Sequence, residues 1–187
     1  PYRRQRQMCI RDSTDTEYGY MMIGFRGVDI NNNETYALDV LSEILGGGKS
    51  SRLYRDIKEQ KGLTFSISAS NGSYRDDGIF YISANFTPSS LDKLEKAIFE
   101  EIANIQKYGV TDEELNRAKN MLVQDTYYSR ESTSNISSEL GYIMTLSNSS
   151  IIYDTYVDNI KKVTAQEVVN AARKFLGTNK SCLLYTS

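Results

Sequence analysis

The sequence predicts an α+β domain, a sheet covered by helices, and three patterns lead to that class. Two alternating runs, LTFSISAS and GIFYISANF, flank the turn-rich NGSYRDDG and indicate a β-hairpin. The segment EYGYMMIGFRG is rich in aromatic and apolar residues and ends on glycine, which is typical of a core strand. From Pro88 onward, apolar residues recur almost wholly at helical spacing.

The segment after the first strand predicts two helices with a glycine turn between them. Residues 34–45 carry apolar side chains at helical spacing, and residues 51–60 do so again. The run GGGKS between them resembles the end of a phosphate-binding loop. That motif needs an earlier glycine where this chain has Glu43, and a strand where this chain has a helix. We therefore interpret the glycines as a helix stop followed by a helix start.

The first strand of the predicted hairpin has two different sides. Successive side chains alternate across a strand, so every second residue lies on the same face. The two sets expected on opposite faces are Thr64, Ser66 and Ser68, and Phe65, Ile67 and Ala69.

The C-terminal half predicts a series of helices with recognisable ends. One helix, capped by Ser89 or Ser90, runs to Gly109, and Thr111 opens the next with a capping box. A short strand near residues 181–185 would close the sheet. Three further helices are predicted over residues 134–146, 152–161 and 165–175, the last capped by Thr164.

Both ends of the chain differ in character from the body between them. PYRRQRQMCIRDS (residues 1–13) and CLLYTS (residues 182–187) resemble translated sequencing-adapter read-through, so we place the domain at residues 14–181. Both cysteines, Cys9 and Cys182, lie in these ends. The body therefore offers neither a disulfide framework nor a zinc site built from cysteines.

Composition limits the functions that this chain can serve alone. It has 187 residues, 40% of them hydrophobic, which suits one domain with a buried core. No apolar run reaches the roughly 20 residues of a membrane span and no signal peptide is visible, so we expect a soluble chain, cytoplasmic or periplasmic. The absence of histidine excludes H-E-x-x-H and H-x-x-E-H zinc sites and Ser-His-Asp triads. A net charge of −2 argues against a nucleic-acid partner.

The stretch LGGGKSSRLYRDIKEQKGLTFSISAS resembles the start of the second, non-zinc half of a family M16 metallopeptidase, of the pitrilysin or insulinase type. The similarity extends more loosely through GFRGVDINNNETYALDVLSEIL before it and GVTDEELNRAKNMLVQ after it. The family has two similar halves that face each other like a clamshell, and its first half holds zinc in an inverted H-x-x-E-H motif. The resemblance implies a mixed or antiparallel sheet with helices packed on one face. It also implies a histidine-bearing partner half that binds the zinc in place of this chain.

The resemblance further implies substrate-binding positions in this half. In many members an arginine on the helix and a tyrosine after it hydrogen-bond the substrate, and Lys58 and Phe65 stand at the matching positions. Lysine can still donate, but phenylalanine has no hydroxyl, so the chain departs from the family there. Arg55, one turn before Lys58, is a candidate substitute. Three more candidates, structural first and peptide-contacting second, are Gly46, Gly47 and Gly48.

Two functions remain open at the level of sequence. The first is the peptide-binding, substrate-enclosing half of a zinc-dependent metalloendopeptidase, not catalytic alone. It would hold an extended peptide at an exposed strand edge for hydrolysis by a histidine-bearing half, fused or separate. The second is a non-catalytic scaffold or subunit, like the processing-peptidase alpha or core-protein subunits of the family. Lys58 and Phe65 favour the scaffold somewhat, and the compact, bacterial-looking signature favours the peptidase.

Overall fold

The sheet is mixed, as the resemblance implied. The structure is a computed structural model that describes residues 10–12, 18–177 and 181–186. Its strands are β1 (Ile10–Asp12), β2 (Gly19–Arg26), β3 (Ser66–Ser73), β4 (Gly78–Phe86) and β5 (Ser181–Thr186). They lie in the order β1-β5-β2-β4-β3, with β1 parallel to β5 and the other neighbours antiparallel. Because β3 is at one end of this order, the hairpin's first strand forms an edge of the sheet.

Helices occupy the connection between β2 and β3 and most of the chain after β4. They are α1 (Glu34–Gly46), a π-helix (Leu53–Gln60), a 3₁₀ turn (Pro88–Ser90), α2 (Leu91–Tyr108), α3 (Asp112–Ser129), α4 (Thr133–Ser147), α5 (Ile151–Lys162) and α6 (Ala165–Phe175). Every helix predicted from the sequence is present, with small shifts at its ends. Within the part of the chain that the structure describes, no helix combines the length and the apolar character that crossing a bilayer requires.

The hydrogen bonds at the starts of α2, α3 and α6 test the helix caps that the sequence predicted. The Thr111 hydroxyl accepts a hydrogen bond from the Glu114 backbone, and the Glu114 carboxylate accepts one from the Thr111 backbone, so the predicted capping box is confirmed. Thr164 and Glu167 form the same box at α6. Ser90 is at the N-cap of α2, but the prediction that it caps the helix is wrong. Its backbone is already helical at the end of the 3₁₀ turn, not extended as a capping serine requires.

The helices pack on one face of the sheet, as predicted. α1 lies directly against β3, and it also contacts α3, α5 and α6. The rings of Phe25 on β2 and Phe80 on β4 meet edge to face with centroids 6.4 Å apart. The inward side chains of the two central strands are all buried: Met21, Ile23, Phe25, Phe80, Ile82, Ala84 and Phe86. This face therefore forms the core, and the side chains on the other face of the sheet are exposed or half-buried.

The alternation predicted for the hairpin's first strand is correct along β3 and wrong just before it. Over residues 66–69 of β3 the exposed and buried positions alternate as predicted, and residues 70–73 are all half-buried. Thr64, however, is buried, and Phe65 is 52% exposed. The strand begins only at Ser66, because the Thr64 hydroxyl lies 2.7 and 2.6 Å from the carbonyl oxygens of Ser66 and Asn85. Those contacts hold Thr64 inward, and Phe65 therefore faces outward.

Both ends that the sequence marked as adapter-like contain residues of the sheet. β1 falls within residues 1–13, and β5 covers most of 182–187. Leu184 is paired with Ile10 on one side and with Met22 on the other. Residues 1–9, 13 and 187 lie outside the described residues. The domain boundaries at 14 and 181 stay a prediction.

Candidate functional site

The side of the sheet opposite the helices is exposed to solvent, and we call it the open sheet face. Every second residue of the strands lies on it, and these side chains are exposed or half-buried. Its members are Tyr20, Met22, Gly24 and Arg26 on β2, Ser66, Ser68 and Ser70 on β3, Ile79, Tyr81, Ser83 and Asn85 on β4, and Cys182 and Leu184 on β5. It offers a broad surface to another chain.

The open sheet face combines exposed apolar groups with hydroxyls. Tyr20 is 58% exposed, and Met22 and Leu184, which are 41% and 42% exposed, are partners across β2 and β5. The hydroxyls of Ser68 and Ser83 lie 3.0 Å apart on adjacent strands. Adjacent exposed apolar side chains of this kind often mark a contact site for another chain. The hydroxyls can hydrogen-bond a polar backbone placed against them.

The edge strand β3 is a second feature that can bind an extended chain. Within the described residues its neighbour in the sheet is β4 alone. An edge strand presents every other backbone N–H and C=O outward, and a peptide can add to it as a further strand. The open sheet face and this edge adjoin each other, since β3 contributes to both.

Lys58 and Phe65, the positions that the resemblance singled out, have separate partners. The Lys58 Nζ lies 4.6 Å from the centroid of the Tyr54 ring, a cation–π contact within the π-helix. The Phe65 ring meets Tyr18 edge to face, with centroids 5.3 Å apart, at the end of the sheet where β2 begins. Phe65 thus forms an exposed aromatic pair with Tyr18, and its side chain carries no hydrogen-bonding group.

Arg55 lies elsewhere, in a charged cleft of about 430 Å³ between the π-helix, α2 and α3. Its Nε donates a hydrogen bond to the Asp56 carboxylate at 2.8 Å, and this bond raises the pKa of the arginine. Glu101 also lines the cleft, and burial raises the pKa of its carboxyl. Arg55 therefore has a carboxylate partner of its own, and its role as a substitute for Lys58 stays a prediction.

The same cleft contains a bidentate ion pair that sequence reasoning missed. The Arg52 Nε and Nη2 each lie 2.7 Å from one oxygen of the Glu114 carboxylate, and Nη2 also bonds the Gly109 carbonyl at 3.0 Å. Both side chains are almost fully buried. Burial raises the pKa of the Glu114 carboxyl, but hydrogen bonds from Arg52 and Thr111 outweigh it and lower the pKa to about 2. Glu114 thus joins the start of α3 to the π-helix, which its capping-box pattern alone did not reveal.

The glycine turn does join two helices, as the sequence indicated, and each glycine has its own surroundings. Gly46 packs on the backbone of β3, where an added Cβ would lie 2.0 Å from the Ala69 nitrogen. Gly48 has φ of 82°, a backbone conformation that favours glycine, and an added Cβ there would meet open space. An added Cβ at Gly47 would meet the Glu43 carboxylate. The structural role is evident at Gly46, and peptide contact by the glycines stays a prediction.

A half-buried polar cluster on the helix side of the sheet is a further feature that the sequence did not reveal. The carboxylate of Asp39 accepts hydrogen bonds from Asn71 Nδ2 at 2.8 Å and from the Tyr156 hydroxyl at 3.0 Å. Burial raises the pKa of Asp39 to about 6 despite these two bonds. Burial also raises the pKa of Tyr156, which therefore stays a donor. The available signal was an aspartate amid the apolar residues of ETYALDVLSEIL, on the same helical face as Thr35 and Tyr36.

Asp39→Asn is expected to remove a pH-dependent loss of stability. The folded-state pKa of about 6 exceeds the ordinary 3.8, so the folded state holds more protons and the wild type loses stability as the pH rises from about 4 to about 6. Over this pH range the free energy of unfolding falls by about 2–3 kcal/mol, because each pKa unit corresponds to about 1.4 kcal/mol. Asparagine can accept from Asn71 and donate to Tyr156. Urea unfolding should therefore show the variant more stable than wild type at pH 7.5 and not at pH 4. An unchanged pH profile would contradict the assignment.

The described residues do not fit a zinc site. The sequence has no histidine, and in the ranges 10–12, 18–177 and 181–186 no three Cys, Asp or Glu side chains come together as metal ligands would. The carboxylates described above are engaged by Arg52, Asn71 and Tyr156. Within the part of the chain that the structure describes, no set of side chains has the number and types of ligand that zinc takes in proteins.

Most of the chain matches a known protein family. The sequence pattern of the family described as "Peptidase M16 inactive domain" matches residues 3–122. The chain is 31% identical over 160 residues to the Bacillus subtilis (strain 168) protein named "Uncharacterized zinc protease YmxG", covering 86% of this chain and 39% of that protein. It is 29% identical to a Streptomyces coelicolor protein of similar name, SCO5738, covering 89% of this chain and 36% of that protein. The chain thus spans well under half the length of these relatives.

Solved structures share the fold at lower sequence identity. A protease from Helicobacter pylori superposes with a TM-score of 0.87 at 22% identity, over 95% of this chain and 43% of that one. A peptidase M16 inactive domain from Pseudomonas fluorescens gives 0.82 at 23%, over 94% and 42%. A chain of the Candida albicans complex III2, with Inz-5 bound, gives 0.84 at 16%, over 97% and 46%. At these identities the likeness concerns the fold alone.

Proposed function

Because this chain belongs to the peptidase M16 family, as its inactive domain, we propose that it is the peptide-binding, non-zinc half of a zinc-dependent metalloendopeptidase. In this proposal it encloses an extended peptide together with a histidine-bearing half, fused or separate, and that half hydrolyses the peptide. Relatives named as zinc proteases are more than twice as long as the matched segment, which leaves room for a second half.

The observation that carries the proposal is the open sheet face with its adjoining edge strand. α1 packs against the opposite side of β3 and β4, and the side chains of the open sheet face are exposed or half-buried among the described residues. A peptide lying along β3 could pair with its backbone. Tyr20 and Met22 lie on β2, two strands away from β3, so their apolar side chains would instead contact the facing half or a residue of the peptide that crosses the open sheet face. In the complete enzyme we propose that this surface faces the histidine-bearing half across the bound peptide.

The histidine-bearing half would supply the zinc and the water that it activates. The contribution of this chain is to bind and orient the peptide and to exclude solvent from it. The Lys58 ammonium can donate to a peptide carbonyl, and Phe65 can provide only apolar contact. Substrate binding through Arg55 or through the glycine turn of Gly46, Gly47 and Gly48 belongs to the same proposal.

A non-catalytic scaffold is the second candidate, and Phe65 is the observation that favours it. Its exposed ring stands where many family members have a tyrosine hydroxyl, so this half lacks one oriented donor to the reacting peptide. Loss of one such donor typically lowers a rate by about 10²–10³. The fold likeness to a complex III2 chain is compatible with a scaffold and does not discriminate, because it concerns the fold alone.

The test is reconstitution with the histidine-bearing half from the same source, using a quenched fluorescent peptide and a chelator control. We expect cleavage that needs both halves and that the chelator abolishes. Met22→Asp should then lower kcat/KM by about tenfold or more, because a charge would be placed against the peptide or the facing half. Phe65→Tyr should raise the rate if the missing hydroxyl is limiting.

Tyr108→Asp is the matched control, since Tyr108 is 73% exposed at the end of α2 and outside the open sheet face. It should leave kcat/KM unchanged. A zinc-loaded complex of the two halves that cleaves no peptide would favour the scaffold. Equal effects of Met22→Asp and Tyr108→Asp would show that the open sheet face does not bind the substrate.

A further inference from the structure

The cavity beside Asp39 has the composition of a cation site. It measures about 240 Å³ and lies between α1, α4 and α5, on the helix side of the sheet. No lysine or arginine is among its lining residues, which are Ile30, Thr35, Tyr36, Asp39, Ser73, Thr126, Glu139, Tyr142, Ile143, Ile152 and Tyr156. We propose that this cavity binds an organic cation, an ammonium or guanidinium group on a small molecule or on a peptide side chain.

Asp39 supplies the uncompensated charge. Its two hydrogen bonds come from neutral groups, the Asn71 amide and the Tyr156 hydroxyl, and among the described residues no basic side chain is a partner of its carboxyl. A carboxylate can accept about four hydrogen bonds, so Asp39 keeps acceptor capacity for a ligand. Buried carboxylates are normally paired with a cation or a metal.

Glu139 is the second acidic residue that lines the cavity, and unlike Asp39 it has a basic partner among the described residues. The Glu139 carboxylate is bound by the Arg130 guanidinium, with its closest contact at 2.7 Å, and the same guanidinium stacks on the Tyr153 ring at 3.7 Å. Its charge is therefore already balanced by a residue of the chain. The contrast leaves Asp39 as the charge that a ligand would balance.

Hydroxyl groups lie close to the Asp39 carboxylate. Asn71 Nδ2 bonds both Asp39 Oδ1 and Thr35 Oγ1, so these two oxygens are near each other. Thr35 Oγ1 in turn lies 2.7 Å from Ser73 Oγ. An ammonium group has three donors, and a carboxylate with adjacent hydroxyl oxygens offers it several acceptors. The Asn71 Oδ1 atom is buried without a partner in the described residues, so this network is also incomplete as it stands.

Aromatic rings complete the cavity. Tyr36 and Tyr156 lie side by side with centroids 5.9 Å apart, and Tyr142 contributes a third ring that is 53% exposed. Ring faces attract ammonium and guanidinium groups, more strongly where water is excluded. The cavity is smaller than the about 300 Å³ at which drug-sized pockets begin, so it suits one side chain or a short amine.

Calorimetry with butylammonium chloride and with neutral butan-1-ol, at pH 7.5, tests the proposal on the 187-residue chain. We expect saturable binding of butylammonium and none of the alcohol. Asp39→Asn should weaken the binding by about tenfold to 100-fold, the range for loss of a charge-assisted contact. Tyr142→Ala, at an exposed position, should weaken it less. Asp92→Asn, in the exposed first turn of α2, is the matched control and should leave the binding unchanged.

A second set of titrations tests whether the bound cation belongs to a peptide side chain or to a free amine. Binding of N-acetyl-lysine methylamide, but not of the glutamine analogue, would assign the site to a peptide side chain. Binding of butylammonium alone would assign it to free amines. The proposal is overturned if butylammonium fails to bind, if butan-1-ol binds equally, or if Asp39→Asn, shown by circular dichroism to be folded, binds butylammonium as the wild type does.

Discussion

Gly46→Ala is expected to destabilise the folded chain by about 3 kcal/mol or more. An alanine Cβ would lie 2.0 Å from the backbone nitrogen of Ala69 and 2.7 Å from its Cβ. The neighbouring atoms belong to the backbone of β3, which is held in register by β4 and cannot yield as a flexible side chain would. Overpacking a rigid site commonly costs about 1–3 kcal/mol, and a backbone clash lies at the upper end or beyond. Urea unfolding at pH 7.5 measures the change.

Two other glycines provide matched controls for this substitution. Gly141 is in the interior of α4 with nothing near an added Cβ, so Gly141→Ala should stabilise the chain by about 0.5–1 kcal/mol through better helix propensity. Gly48 also has open space but a φ of 82°, so Gly48→Ala should cost about 1–2 kcal/mol from backbone strain alone. If Gly46→Ala cost no more than Gly48→Ala, the close packing of α1 on β3 would be refuted.

Arg52→Met is expected to cost about 3 kcal/mol at pH 7.5, because it leaves the Glu114 carboxylate buried without its cation. Arg52 makes two 2.7 Å contacts with Glu114, and both side chains are almost inaccessible to solvent. Removing one partner of a buried pair typically costs about 3–5 kcal/mol, since the remaining charge is uncompensated. Methionine keeps the unbranched length of the side chain, so that packing changes little. Chemical denaturation of the variant against wild type measures the difference.

The pH dependence distinguishes this ion pair from ordinary packing. The pKa of Glu114 is lowered from 4.5 to about 2 in the folded state, so its contribution is present above about pH 4.5 and is lost as the pH falls toward 2. The stability difference between wild type and Glu114→Gln should therefore shrink as the pH falls from 5 to 3. Arg26→Met is the control, because Arg26 and Asp77 form an exposed pair expected to contribute at most about 1 kcal/mol. A pH-independent cost at Arg52 would refute the electrostatic explanation.

Gly46 and Arg52 both lie in the LGGGKSSRL stretch. Their expected contributions indicate that this stretch stabilises the fold. Its residues are the most family-like of the chain, and their contacts are internal to the domain. Gly46 sets the distance between α1 and β3, and Arg52 joins the π-helix to the start of α3. The signature therefore holds together the elements that support the edge strand. If the proposed peptide binding is correct, we expect this stretch to act on it through the position of β3.

Sequence alone determined the features that depend on near neighbours along the chain. Helical spacing of apolar residues located α1 to α6, because one apolar stripe per helix is enough to specify a face. The capping box at Thr111 and the cap at Thr164 were readable because the interacting groups lie within four residues of each other. Alternation identified the hairpin, and aromatic and apolar content with a final glycine identified β2. The α+β class and the helix-covered sheet follow from these patterns and were confirmed.

Only the tertiary structure decided the features whose partners are far apart in sequence. The hydroxyl of Thr64 is close to the carbonyl of Asn85, and that distant contact exposes Phe65 against the local alternation. Arg52 meets Glu114, and Asp39 meets Tyr156, across separations of 62 and 117 residues. The partners of a charged side chain inside the fold depend on which groups surround it in space. The local spacing of apolar residues along the sequence does not identify those groups. The ion pair, the Asp39 cavity and the identity of the open sheet face therefore appeared only when the chain was folded.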